Sequence, residues 1–161
     1  MKKLAIVLSM VLVFGVLVSP IMAQSPRPAA NDLINSFYER EGEAVPQVTW
    51  TYLFDLVTNA GSWGWGSTYV ITNYNAIVKI QIRGAVVPTG SDPGDELFFD
   101  YWLNPYEVKY VNLSTVGLGD QNGWSLVWST MSDFGAGVLL YNTTSSQPGI
   151  AWQPGWYWIV P

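Results

Sequence analysis

Residues 78–83 read Val-Lys-Ile-Gln-Ile-Arg, and their strict alternation of apolar and polar side chains decides the fold class. A period of two is the repeat of a β-strand whose two faces meet different surroundings. The pattern predicts that the valine and the two isoleucines face a core, whereas Lys79, Gln81 and Arg83 face outward. No other stretch of the chain alternates as cleanly.

The same period continues on both sides of this stretch. Further strands are predicted at residues 48–57, 67–73, 96–103, 107–113, 124–131, 134–141 and 156–160. The breaks between them are rich in Gly, Asn, Asp and Pro, which are the residues of turns. Because no long helical pattern lies between strands, a parallel α/β sheet is disfavoured. The sequence therefore predicts an all-β fold, a single antiparallel β-sandwich of seven or eight strands.

The first residues have the layout of a secretory signal peptide. Lys2 and Lys3 precede an apolar run over residues 4–18, and the small residue Ala23 suggests cleavage before Gln24. An uncleaved membrane anchor is the alternative, although a run of about 15 residues is short for a helix that crosses a bilayer. We expect a secreted, extracytoplasmic protein that has no membrane span once the signal is removed.

Three segments are predicted along the chain. They are a signal peptide over residues 1–23, a linker with a short helix over 24–46, and the β-sandwich domain over 47–161. The helix is expected over residues 32–40, where Leu33, Ile34, Phe37 and Tyr38 fall at helical spacing. It forms the lead-in to the sandwich.

Composition excludes several classes of function. After the signal peptide the chain has five basic and twelve acidic residues, so nucleic-acid binding, which needs basic side chains against phosphates, is not expected. The chain has no cysteine and no histidine, which removes the thiolate nucleophile, the usual general base and the usual zinc ligands. We expect no catalytic centre, no cofactor and no assigned metal.

Short motifs in the middle of the chain resemble small bacterial extracytoplasmic domains of the immunoglobulin-like sandwich type. The motifs lie at residues 67–74, 103–106, 111–114 and 134–139, so the resemblance covers residues 67–141. It implies an immunoglobulin-like or related sandwich. It implies no activity, because that family is mostly of uncharacterised proteins.

The most distinctive candidate site is the segment over residues 61–67, in which Trp63 and Trp65 are flanked by glycines. Connections between strands run over the surface, so these rings are candidates for stacking on the apolar face of a sugar. Trp152 is a third candidate ring, and Asn73 and Asn75 are candidate partners for sugar hydroxyls. The alternative is that Trp63 and Trp65 fold back and cap the end of the sandwich.

Acidic residues suggest two weaker possibilities. Asp92, Asp95 and Glu96 form an oxygen-rich loop that could hold calcium, although such a loop is more simply a polar turn. A two-carboxylate glycosidase would need Asp100 together with Asp55 or Glu107, at a separation of about 5–10 Å. The simpler interpretation is that these carboxylates are solvated.

These observations favour a non-enzymatic interaction module of the cell envelope or extracellular space. Its partner would be another protein or a second copy of itself, joined through the uncharged strand at residues 156–160 if that strand lies at an edge. The simpler interpretation of residues 156–160 is an ordinary closing strand. The alternative is a carbohydrate-binding module that takes a polysaccharide on the exposed tryptophans. A glycosidase is the least favoured function.

Overall fold

Two antiparallel sheets make up most of the structure. It is a computed structural model that describes residues 30–144 and 149–160, and it describes residues 158–160 by their backbone only. The predicted signal peptide, residues 1–23, lies outside the described residues. The elements in chain order are α1 (Ala30–Glu41), β1 (Thr49–Thr58), a 3₁₀ turn (Gly61–Trp63), β2 (Trp65–Asn73), β3 (Ile80–Pro88), β4 (Leu97–Leu103), β5 (Val108–Asn112), α2 (Leu113–Val116), β6 (Asn122–Ser129), β7 (Phe134–Asn142), β8 (Gly149–Pro154) and β9 (Trp156–Val160). None of the helices within the described ranges is long and apolar enough to cross a membrane.

The strands divide into a five-stranded and a four-stranded sheet. The first has the order β4-β3-β6-β1-β9 and the second the order β5-β2-β7-β8. Every described strand pair is antiparallel. The predicted all-β class is therefore confirmed. The described chain adds one strand, β8, to those predicted. The strand predicted over residues 78–83 is β3, which begins at Ile80 and continues to Pro88. Val78 lies before this strand and is 43% exposed, so the prediction that it faces the core is wrong.

One apolar cluster joins the two sheets. Phe54 and Val127 enter it from the five-stranded sheet, and Tyr69, Ile71 and Val138 enter it from the four-stranded sheet; all five are fully buried. The rings of Phe54 and Tyr69 lie 5.7 Å apart across the cluster. Burial also raises the pKa of the Tyr69 hydroxyl far above its ordinary value.

Helix α1 buries the opposite face of the five-stranded sheet. Its residues Leu33, Ile34, Phe37 and Tyr38 are at most 3% exposed, and they pack on the outward side chains of β3 and β6, chiefly Leu126 and Trp128. The ring of Phe37 meets that of Trp128 edge-on, with centroids 5.4 Å apart. The sheet is consequently apolar on both faces, and the helix predicted over residues 32–40 is a structural layer.

Arg83 corrects one detail of the alternation pattern. It points away from the inter-sheet core as predicted, yet it is only 6% exposed because the end of α1 covers it. Its guanidinium donates to Glu43 at 2.6 Å and to Asp100 at 3.4 Å, and it lies 4.6 Å from the centre of the Tyr38 ring. Alternation assigns a side chain to a face, but what covers that face depends on a segment more than 40 residues away.

We expect the substitution Phe37→Ala to lower the free energy of unfolding by about 3 kcal/mol, because it removes a buried ring and leaves a cavity over Trp128. Urea denaturation followed by far-UV circular dichroism measures this. The matched control is Ser36→Ala on the exposed side of the same helical turn, which should change stability by less than about 0.5 kcal/mol. Equal effects of the two changes would mean that α1 does not pack on the sheet.

Candidate functional site

A groove of about 510 Å³ opens at the end of the molecule where β1 turns into β2. We call it the end groove. Its lining residues are Leu56, Thr58, Ala60, Ser62, Trp63, Trp65, Asp120, Gln121, Asn122 and Leu140. Apolar side chains from β1, β2 and β7 form most of its wall, and polar side chains from the loop before β6 and from the first residue of β6 form one rim. Sites for small ligands in proteins usually have this volume, with mostly apolar walls and a few polar groups.

Both tryptophans predicted from the sequence lie in the end groove and are accessible. Trp63 is 75% exposed and Trp65 is 42% exposed. Trp63 ends the 3₁₀ turn and Trp65 begins β2, so both belong to one short connection. Neither ring is buried as a cap on the core would require.

Backbone contacts hold this connection on both sides. Asn59 donates from its side chain to the Leu118 carbonyl at 2.6 Å, and its backbone N–H donates to Gln121 at 3.0 Å. On the other side, Thr143 donates its N–H to the Gly64 carbonyl at 2.9 Å. The tryptophans are therefore carried by a connection that is tied to β7 and to the loop before β6. Such a preorganised site loses less conformational entropy when a ligand binds.

Gly64 makes this geometry possible. Its φ of +74° lies in the left-handed region, and an added Cβ would collide with the side chain of Thr144 and meet the Asn142 side chain at 3.1 Å. Only glycine adopts such a φ without strain. The connection can thus reverse direction between the two tryptophans.

The polar rim supplies hydrogen-bonding groups. Asp120 is the charged residue of the lining, and one of its carboxylate oxygens accepts the Ser62 N–H at 3.3 Å. The side chains of Gln121 and Asn122 are exposed and make no hydrogen bond to another described residue. Their amides are free to donate to and accept from a bound molecule. From the sequence, Gln121 and Asn122 are only residues of a break between two predicted strands, and no sequence signal points to Leu56 or Asp120 as site residues.

The other predicted ligand-binding residues lie elsewhere. Trp152 is on β8, where it pairs with Leu139 on the outer face of the four-stranded sheet. Asn73 ends β2, eight residues from Trp65, which is roughly 26 Å along a strand. The structure therefore separates the five candidates into an end-groove pair, a sheet-face tryptophan and two asparagines at the far end.

Asn73 and Asn75 hold the connection between β2 and β3. The Asn73 amide is fully buried and donates to three backbone carbonyls at 2.9–3.2 Å, those of Val78, Leu103 and Asn104. The Asn75 side chain accepts from two backbone N–H groups and donates to Asp133 at 2.9 Å. Their hydrogen-bonding capacity is used within the protein, so neither serves the end groove.

The carboxylates of the glycosidase hypothesis are separated. Asp100 on β4 and Asp55 on β1 have two strands between them, and Asp100 lies level with Thr51 on β1, so their backbones are more than about 14 Å apart. Asp100 accepts from Gln81 at 2.6 Å, whereas Glu107 accepts the backbone N–H of Asn104 at 2.8 Å. Asp55 accepts the Trp156 indole N–H at 3.2 Å. Each carboxylate thus serves a different local contact.

The acidic loop between β3 and β4 closes on itself. Asp95 accepts the Asp92 N–H at 3.3 Å, and Glu96 accepts the Gly94 N–H at 3.0 Å. Among the residues that the structure describes, no three carboxylate, imidazole or thiol side chains come together as metal ligands would. The loop is a polar turn in this structure.

No model of a protein family matches the chain, and no curated protein matches it. Among solved structures, the chain is similar to the crystal structure of Thermotoga maritima 1070. The TM-score is 0.51 and the sequence identity 11%, over 67% of this chain and 91% of that chain. At this identity the likeness concerns the fold alone. The resemblance to bacterial immunoglobulin-like domains stays a prediction.

We expect Gly64→Ala to destabilise the protein by about 1–3 kcal/mol. An alanine there is strained by its positive φ and collides with Thr144. Thermal unfolding measures this effect. The matched control is Gly61→Ala in the same connection, where an added Cβ meets nothing within 4 Å. Stability of Gly61→Ala should be unchanged or slightly raised, and equal destabilisation by both would contradict the geometry of the connection.

Proposed function

We propose that this protein is a secreted, non-enzymatic β-sandwich module that binds a carbohydrate in the end groove. The observation that carries the proposal is the joint exposure of Trp63 and Trp65 in a groove of about 510 Å³. Secretion is inferred from the signal-like first 23 residues. The immunoglobulin-like version of the sandwich stays a prediction.

The chemistry of the end groove suits a sugar. A pyranose has an apolar face of C–H groups and an edge of hydroxyls, so it needs an aromatic surface beside hydrogen-bonding groups. Trp63 and Trp65 supply the surface, and Asp120, Gln121 and Asn122 supply donors and acceptors along one rim. Since the rim has only one charge, a neutral sugar fits better than a polyanion.

A binding role fits the groove better than catalysis. Hydrolysis of a glycosidic bond requires two carboxyl groups that face each other across the substrate. Asp120 is the carboxylate of the groove lining, and no second carboxylate lines it among the residues that the structure describes. The proposal is thus a module that holds its ligand without changing it.

Affinity electrophoresis of residues 24–161 through gels that contain different neutral polysaccharides tests this proposal. We expect at least one polymer to retard the protein. The double substitution Trp63→Ala/Trp65→Ala should weaken that affinity at least about tenfold, which corresponds to about 1.4 kcal/mol, because the stacking surface is lost.

The matched control is Trp102→Ala, which removes an equally accessible ring, 54% exposed, from the outer face of β4. It should leave the retardation unchanged. Near-UV circular dichroism checks that each variant is folded. If no polymer retards the protein, or if both variants bind like the original, the end groove is not a carbohydrate site.

Self-association is a second candidate function, which the arrangement of edge strands favours. β9 is at an edge of the five-stranded sheet and pairs with β1 alone. The edge strands β4 and β5 carry Asp100 and Lys109, whereas β8 and β9 carry no charge. Charged residues on an edge discourage the addition of another strand, and β9 lacks this protection. A second copy could pair its own β9 there, around a twofold axis.

We expect sedimentation equilibrium to show a dimer whose population rises with concentration. Trp156→Lys should make the protein monomeric, because a lysine on the edge opposes strand addition and the residue is 68% exposed. Trp63→Lys, which changes an exposed tryptophan far from β9, serves as the control and should leave the dimer intact. A monomer at all concentrations would exclude this second function.

A further inference from the structure

The outer face of the four-stranded sheet is a second aromatic surface, distinct from the end groove. Positions that face away from the core on β5, β2, β7 and β8 bear no charged residue in the described chain. Large side chains are exposed there, among them Tyr110 at 65%, Ile150 at 80% and Trp152 at 54%. Tyr74, which follows β2, is 63% exposed beside them. We call this surface the aromatic face.

Two of these rings pack directly on the backbone of the sheet, because the residues beneath them are glycines. The Trp152 ring occupies the space above Gly137 that a Cβ would take, and the nearest ring atom of Tyr74 lies 2.8 Å from the Cβ position of Gly135. The two glycines are two residues apart on β7, so the rings rest at points about 7 Å apart along one strand. Between them runs a shallow trough of about 200 Å³, whose lining includes Val70 and Thr72.

The size of the aromatic face argues against a protein partner. Four strands about 4.8 Å apart and about seven residues long span roughly 450 Å². A stable protein interface buries about 800 Å² of accessible surface on each partner, so a second copy seated here would also have to contact surface beyond the aromatic face. A linear polymer needs only a narrow strip of rings and gains affinity from repeated contacts along its length.

The charge of the aromatic face selects the kind of polymer. Nucleic acids and anionic polysaccharides need lysine or arginine on the surface that binds them, and this face has neither. The aromatic rings that pack on the two glycines offer a broad apolar surface. Beside them, the Thr72 hydroxyl can reach a sugar hydroxyl. We propose that the aromatic face binds the surface of an uncharged polysaccharide, with Trp152 and Tyr74 as the stacking rings.

This site shares its ligand class with the proposed function but none of its residues. The end groove is a pocket suited to the end or a short segment of a sugar chain, whereas the aromatic face is open and suited to a packed polymer surface. Either binding proposal, the one for the end groove or the one for the aromatic face, can be wrong while the other is right. Rings over glycines also shield the strand, so the test must separate binding from stability.

The test is depletion binding of residues 24–161 to insoluble microcrystalline cellulose and chitin, with insoluble polygalacturonate as the anionic control. We expect binding to at least one neutral polymer and none to polygalacturonate. Trp152→Ala/Tyr74→Ala should lower the affinity at least about tenfold. Trp63→Ala/Trp65→Ala, which changes only the end groove, should bind the insoluble polymer unchanged.

A second variant keeps the proposal testable if loss of the rings unfolds the protein. Val70→Lys leaves both rings on their glycines but places a charged side chain in the trough, and it should lower binding similarly while the thermal midpoint is kept. The proposal is overturned if the unmodified protein binds neither neutral polymer, or if folded Trp152→Ala/Tyr74→Ala or Val70→Lys binds normally. Dimerisation that Val70→Lys abolishes would assign the face to a second copy instead.

Discussion

Burial of the five-stranded sheet on both faces is the constraint on which the rest of the structure depends. The chain has no cysteine, so no disulfide joins its layers, and two apolar clusters provide most of the contact between them. One face of this sheet packs on the four-stranded sheet, and the other packs beneath α1. Because Arg83 lies under that helix, its positive charge needs a negative partner. The carboxylates of Glu43 and Asp100 supply this charge at the edge of the buried layer. Their carboxylates are half-exposed, which keeps the cost of desolvation low.

The same burial limits where this protein can bind anything. With α1 on the five-stranded sheet, the open surfaces of the described residues include the end groove and the outer face of the four-stranded sheet. Both surfaces carry exposed tryptophans, and a different structural feature fixes the tryptophans on each. At the end groove, hydrogen bonds tie down the connection that carries Trp63 and Trp65. On the sheet, glycines in β7 let Trp152 rest against the backbone. Rings fixed in advance on a rigid scaffold are suited to stacking, because little order is lost on binding.

The two binding proposals and the self-association proposal concern different parts of one uncharged region. From Phe134 to Pro161 the sequence has no charged residue, and this stretch supplies β7, β8 and β9. It therefore contributes Leu140 to the end groove, Trp152 to the aromatic face and the open edge of the five-stranded sheet. Acidic residues reach these parts from neighbouring elements at Asp120, which lines the end groove, and at Asp55, which accepts the Trp156 indole N–H.

The sequence by itself determined the β-strands, their antiparallel class and the apolar side of α1, since each depends on a local period that burial imposes on neighbouring residues. It also singled out Trp63 and Trp65, because glycines around paired tryptophans in a connection are unusual. It missed β8, because the residues of that strand, from Gly149 through Trp152 to Pro154, do not alternate between polar and apolar. Only the tertiary structure decided that Arg83 is covered, that Asn73 and Asn75 hold a turn, and that Trp152 lies apart from the end groove. Those outcomes depend on which distant strands pair and on what packs over each face, and a local period contains no information about either.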